Sequence, residues 1–305
     1  MLFHFPRTGS TRSRLAVTLT ASALALTACV TNEETGHPDG WEELDIATVP
    51  EIAAMVPPAI AADGTITIGT NVPYAPAEFK DSAGVIIGFD IDLARAVAQV
   101  MGLELEVADQ DFSLILPSVS AGTVDFGASS FTDNEERRQS YDFVDYLYAG
   151  IQWSAQTGDP VDPDNACGLT VSVQRNTVSE TDDINPKSEA CVEAGMEPIT
   201  KLAYDSADGA ATALVLGRAD AMSSDSPVAD FAVARADGKI ETTGDLFDAA
   251  PFGWPVPKQS SLGPALAAAL QHLVETGDYE RILGFWGIEH GLIETAQING
   301  EPYRP

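Results

Sequence analysis

A twice-repeated alternation of strand-like and helix-like segments constrains this chain more than any other feature. After the turn Asp63-Gly64, the run Thr65-Ile66-Thr67-Ile68-Gly69 alternates polar and apolar residues, the period of a strand. From Asp90 to Met101, residues Ile91, Leu93, Ala94, Val97 and Ala98 gather on one side at helical spacing, and Gly102 stops the helix. Leu103 to Ala108 then reads as a strand, Ser113 to Ala121 as a helix and Val124 to Ala128 as a strand. The order restarts with a strand from Leu169 to Gln174 and a helix opened by the capping box Thr177-Val178-Ser179-Glu180. A strand from Ile199 to Tyr204, a helix from Ser206 to Leu216 and a strand from Ala219 to Ser223 complete it. Parallel strands need crossover helices, so each half predicts an α/β unit with a mostly parallel sheet flanked by helices.

Two extended runs, Tyr146 to Trp153 and Phe252 to Pro257, are placed to cross between the halves. From Ser261 to Thr276, residues Leu262, Leu266, Leu270 and Leu273 form a helical stripe suited to core packing, so the C-terminal helices are free to return to the first half. A length of 305 residues suits two such units.

The first 28 residues carry Arg7, Arg12 and Arg14, no acid, and an apolar stretch from Leu15 to Leu26, the order of a secretion signal. That stretch is short for a bilayer, which makes a retained transmembrane helix the weaker reading. The chain as a whole is strongly acidic: 46 Asp and Glu against 16 Lys and Arg give a net charge of −30. Phosphate backbones and anionic headgroups repel such a surface, which excludes nucleic acid as a partner. Cys167 and Cys191, in an oxidising compartment, read as a disulfide, with two buried free thiols as the alternative. No His or third Cys stands at ligand spacing, so no metal is expected. Residues 30–48 are polar, acidic and aperiodic, as a tether would be.

The run Gly88-Phe89-Asp90-Ile91-Asp92-Leu93-Ala94-Arg95-Ala96-Val97-Ala98 resembles the signature of the family 3 solute-binding proteins, the receptors of polar amino-acid ABC importers. It is preceded by Gly69-Thr70-Asn71-Val72-Pro73-Tyr74-Ala75-Pro76 and Glu78-Phe79. It is followed by Phe112 to Pro117, Ser118 to Asp125, Ser129-Ser130-Phe131-Thr132 and Glu136-Arg137, then by Gly217 to Ala221 with Asp225, and by Gly277-Asp278-Tyr279 and Phe285-Trp286-Gly287. The resemblance runs from about residue 60 to 298. It implies a two-lobed periplasmic-binding-protein-like fold of type II, with two crossing strands and a ligand held in the cleft. The divisions expected are a signal peptide over 1–28, an acidic tether over 29–49, the first lobe over 50–150, the second over 151–248, and a return to the first over 249–305.

Carried over by position, Arg137 matches the arginine that pairs with the ligand α-carboxylate, a role its planar fork suits. Asp225 matches the carboxylate that takes the α-amine, and Ser130 and Thr132 match positions whose carbonyl and hydroxyl also hold it. Tyr74 and Phe112 match the aromatic walls, although core packing alone would also account for either. Thr177 opens a helix whose N-terminal amides would face the cleft, with capping alone as the plainer role. Asn71 and Glu78 are the expected specificity residues, and Asn71 stands where members preferring cationic ligands often have Asp. Ala77 replaces a common aromatic, and Asn176 replaces a Gly, tolerable because Asn enters left-handed backbone conformations readily. Leu26-Thr27-Ala28-Cys29 resembles a lipobox, which implies lipidation of Cys29 and anchoring at the outer face of the cytoplasmic membrane, with ordinary cleavage as the alternative. The implied partners are an amino acid and the permease subunits, with no cofactor. A dehydratase acting on prephenate-like acids shares the fold. The mature histidines are only His37, His272 and His290, away from the quoted cleft motifs, and no nucleophile elbow or zinc-protease motif appears, so an enzyme is not expected.

Overall fold

The computed structural model describes residues 36–304 together with Met1. Apart from Met1, the leader expected over 1–28 and the lipidation expected at Cys29 lie outside the described residues. In the first lobe β1 (Thr65–Thr70) leads through α1 (Phe89–Val100) to β2 (Glu104–Asp109), and then through α2 (Phe112–Ala121) to β3 (Phe126–Gly127). Strand β1 lies between β2 and β3, parallel to both, with Ile68 opposite Val107 on one side and Phe126 on the other. Its alternation puts Ile66 and Ile68 wholly inside the core. Helix α1 is buried on nearly every side, and Gly88 just before it is required. Its φ is 140° and a Cβ there would stand 2.0 Å from the Ala77 carbonyl oxygen.

A single turn, α3 (Glu135–Arg138), precedes the long strand β4 (Tyr141–Gln156). In the second lobe β5 (Thr170–Gln174), α4 (Asn185–Glu193), β6 (Thr200–Tyr204), α5 (Ala207–Val215), β7 (Ala221–Asp225) and α6 (Ser226–Arg235) follow. Strand β5 runs parallel to β6 and to β7, and β7 runs antiparallel to β4. The chain returns along β8 (Ile240–Pro257), antiparallel to β4 from Ile240 opposite Gln156 to Pro257 opposite Tyr141, and ends in α7 (Leu262–Thr276) and α8 (Asp278–Phe285). Strand β4 joins the two lobes physically: Val144 and Tyr146 pack with Phe126 and Trp254, whereas Ile151 and Trp153 pack with Val171 and Ile184. The second core also holds the Cys167–Cys191 disulfide, with Cα atoms 5.6 Å apart.

Three local expectations change. The segment from Glu51 to Ile60, which in sequence reads as one short helix, is two short pieces, Pro50–Ala53 and Pro58–Asp63, because a proline supplies no N–H and disfavours helix at the residue before it. The tether expected over 29–49 is packed from residue 36 onward: Trp41 Nε1 donates to Asp92 Oδ2 at 2.8 Å, and Val49 N–H donates to the Val100 carbonyl at 2.9 Å. The reciprocal bonds of the capping box are replaced by others. The Thr177 hydroxyl donates back to the Gln174 carbonyl at 2.8 Å, Glu180 Oε2 accepts from Asn176 N–H, and a wide turn over Ser179–Ile184 precedes α4. Asn176 does take the left-handed conformation, with φ at 64°.

Candidate ligand-binding cleft

Strands of a parallel sheet end where their crossovers begin, and the loops at those carboxyl ends are where ligands settle in open α/β sheets. Both lobes turn such ends toward one another. Asn71 and Tyr74 follow β1, Phe112 opens α2, and Ser129, Ser130 and Thr132 follow β3. Gln174 ends β5, Thr177 and Val178 follow it, and Asp225 ends β7. Together with Arg137 they line one cavity.

Arg137 is held from its own lobe. Its N–H donates to the Asn134 side chain that caps α3, and Nη1 donates to the Thr132 carbonyl at 2.8 Å. Its Cζ lies 5.4 Å from the Phe131 ring centroid and 6.0 Å from that of Phe112, within cation–π range. The neighbouring Arg138 is instead spent on Asp133, with contacts of 2.6 and 2.8 Å. Burial pulls the Arg137 pKa down, and the field of Asp225 pushes it back up. Asp225 is pushed up to about 6 by burial, against the hydrogen bond from Tyr74 and the positive charge of Arg137. The cleft therefore presents one cation from the first lobe and one buried carboxyl group from the second.

The first-lobe wall rests on two further carboxyl groups that do not line it. Ser129 Oγ donates to Glu78 Oε1 at 2.5 Å and accepts from Asn71 N–H at 3.2 Å. Asp90 Oδ2 accepts from both Ser130 N–H, at 2.7 Å, and Ser130 Oγ, at 3.2 Å. These bonds anchor Ser130 at a φ of 49°, a backbone conformation costly for a residue with a Cβ. Glu78 and Asp90 are both fully buried. Burial raises the Glu78 pKa well above the carboxylate range, and the nearby Asp90 raises it further. Burial also pushes Asp90 up to about 6, against the nearby Tyr146 hydroxyl, the two hydrogen bonds from Ser130 and the nearby Trp254 indole N–H.

The expected positions thus fall in different places. Tyr74, Phe112, Ser130, Thr132, Arg137, Thr177, Asp225 and Asn71 are brought together on the cavity, whereas Glu78 stands behind Ser129 and reaches the wall only through it. Ser130 turns its hydroxyl toward Asp90, leaving its carbonyl for any ligand. Gln174, Ser129 and Val178 were not anticipated as lining residues. Ser129 stands beside Ser130 in the quoted motif, and Gln174 ends the strand that reads from Leu169, so position at a strand's carboxyl end is the sequence signal for both.

Residues 66–289 match the model of the bacterial extracellular solute-binding proteins, family 3. The chain belongs to that family. It is 57% identical over 300 residues to the arginine-binding protein ArgT of Corynebacterium glutamicum, covering 98% of this chain and 99% of that one. Among solved structures, a family 3 chain of this kind is similar to an ancestral arginine-binding protein bound to arginine, with 30% identity and a TM-score of 0.67 over 73% of this chain and 98% of the other. It is also similar to an ancestral amino acid-binding protein described as a precursor of cyclohexadienyl dehydratase, with 28% identity and a TM-score of 0.66 over 75% and 97% of the two chains. As members of this family are, the protein is an extracellular solute-binding protein.

Proposed function

We propose that this protein captures L-arginine in the interlobe cleft and delivers it to the membrane subunits of an ABC importer. The observation that carries the reading is the opposition of Arg137 and Asp225 across one enclosed cavity. A zwitterionic α-amino acid loses two hydration shells on entering such a space, and each must be replaced by a fixed opposite charge. Arg137 offers its guanidinium fork to the carboxylate, and Asp225, with the Ser130 carbonyl beside it, takes the ammonium. The arginine side chain then extends along the Tyr74 and Phe112 rings, whose faces favour a cation. Arginine is favoured over other amino acids by the 57% identity, spanning nearly the whole chain, with a protein named for binding it.

Binding without turnover is part of the same reading. Carboxyl groups such as Glu78 are the candidates for an acid or base here, and Glu78 is engaged by Ser129 behind the wall while Asp225 is engaged by Tyr74. Calorimetric titration of the ligand-free protein with arginine, lysine, ornithine, citrulline, glutamine and histidine tests the ligand. Arginine should bind tightest, and a tighter neutral amino acid would refute the assignment. Tethering by a lipid on Cys29 belongs to this role as well, and Cys29→Ala should move the protein from the membrane fraction to the soluble one.

A further inference from the structure

At the end of β5, the Gln174 side chain reaches across the cleft, and its orientation is fixed by a chain of hydrogen bonds that begins on the backbone. Asn71 Nδ2 donates to the Gln110 carbonyl at 3.0 Å, an oxygen that can only accept. The amide of Asn71 therefore cannot be turned round, and its Oδ1 faces the second lobe. Gln174 Nε2 donates to that Oδ1 at 2.9 Å, so the nitrogen of Gln174 is committed to Asn71 and its oxygen is left over. Gln174 is only 4% exposed, and its Oε1 is buried without a partner. A buried amide oxygen with no donor costs free energy comparable to a lost hydrogen bond, unless something entering the cavity supplies one.

We infer that Gln174 is a specificity-determining residue, whose Oε1 accepts a hydrogen bond from the side-chain head of the bound amino acid while Asn71 holds it in place. The neighbouring polar groups are already used. Ser129 Oγ serves Glu78 and Asn71, Thr177 Oγ1 serves the Gln174 carbonyl, and both ends of the Asn71 amide are engaged. The wall around Gln174 thus offers an acceptor. A ligand head rich in N–H donors, such as a guanidinium, satisfies it, and a carboxylate head does not. Because Asn71 and Gln174 come from opposite lobes, the acceptor is in place only when the cleft is closed. An acceptor in a neutral amide also accounts for how a cationic head can be read with Asn rather than Asp at position 71. The inference rests on the arginine reading for the identity of the head and on the hydrogen-bond chain for the residue.

The test is titration of wild type, Gln174→Met and Gln174→Glu with arginine, with citrulline, its neutral counterpart of similar shape, and with alanine, too short to reach Gln174. Wild-type binding of arginine checks the ligand reading by itself, and ratios between variants check Gln174. Gln174→Met should lose about tenfold to a hundredfold in arginine affinity, the cost of a charge-assisted hydrogen bond, and clearly less in alanine affinity, which loses only the Asn71–Gln174 bond between the lobes. Gln174→Glu keeps an acceptor while giving up the donor to Asn71 Oδ1, and should bind arginine more tightly than Gln174→Met, while widening the preference for arginine over citrulline. Equal losses for arginine and alanine in Gln174→Met would overturn the assignment. So would loss of arginine binding in Gln174→Glu as large as in Gln174→Met, because only the bond to Asn71 would then matter. If Gln174→Met does not fold, the arginine-to-citrulline ratio of Gln174→Glu decides: an increase upholds the assignment and an unchanged ratio rejects it.

Discussion

The hydroxyl of Tyr74, in the first lobe, donates to Oδ2 of Asp225, in the second. The bond spans the cleft and engages the carboxyl group proposed to receive the ligand ammonium. It is also one of two forces, with the charge of Arg137, that oppose the burial holding Asp225 at about 6. A ligand ammonium adds a third.

From this follows a pH dependence with a defined sign. The folded-state pKa of Asp225 is raised, so relative to the unfolded chain its contribution to stability is present below about pH 4 and is lost as pH rises through about 6. Binding a cation reverses this by favouring the ionised form. Affinity should therefore be flat above pH 7 and weaken below about pH 6, approaching tenfold per unit, with proton release on binding near pH 6. Asp90 titrates in the same range, facing Glu78, Tyr146, Ser130 and Trp254 rather than the cavity. Titrations at pH 5.0, 6.0 and 7.5 in buffers of different ionisation enthalpy measure both quantities, and equal affinity at all three would contradict the role of Asp225.

Asp90 should matter through Ser130. Asp90→Ala removes the acceptor of two buried hydrogen bonds and frees Ser130 from its left-handed conformation, so ligand affinity should fall about tenfold and stability by about 1–3 kcal/mol. Asp90→Asn keeps a carbonyl oxygen for Ser130 and should recover most of the affinity. Titration and thermal unfolding of the two variants separate the cases, and equal affinities in Asp90→Ala and wild type would remove Asp90 from the site's support.

The segment before residue 50 should stabilise the fold. Asp92 Oδ2 accepts from both Trp41 and Trp286, His37 stacks on Trp41 at 3.6 Å, and Ile46 N–H donates to Gln99. A chain beginning at residue 50 loses these contacts and leaves Asp92 with one indole donor. With about 2 kcal/mol or more lost, its thermal midpoint should fall by roughly 5 °C or more against a chain beginning at residue 36. Identical midpoints would mean that the segment adds nothing.

How far the sequence reveals this structure depends on the range over which each feature is determined. The Thr65–Thr70 strand and the helix around Ile91 to Val97 were legible because period and burial agree within a few residues. The long crossing strands were legible as extended apolar runs. Glu78 was misplaced because nothing local distinguishes a carboxylate on a wall from one behind it: what hides it is Ser129, 51 residues on. Gln174 was overlooked for the same reason, since its partner Asn71 lies 103 residues away on the other lobe. The aperiodic stretch around Trp41 suggested a tether because its anchors, Asp92 and Gln99, lie in a helix about 50 residues further along.

The most direct measurement is calorimetric titration of Arg137→Ala and Asp225→Ala with arginine beside wild type. Removing either partner leaves a buried charge of the ligand uncompensated, which typically costs 2–5 kcal/mol, or about 30- to several-thousandfold in affinity. Both variants should keep their cooperative unfolding and nearly lose binding. Near wild-type affinity in Arg137→Ala would contradict the proposed site.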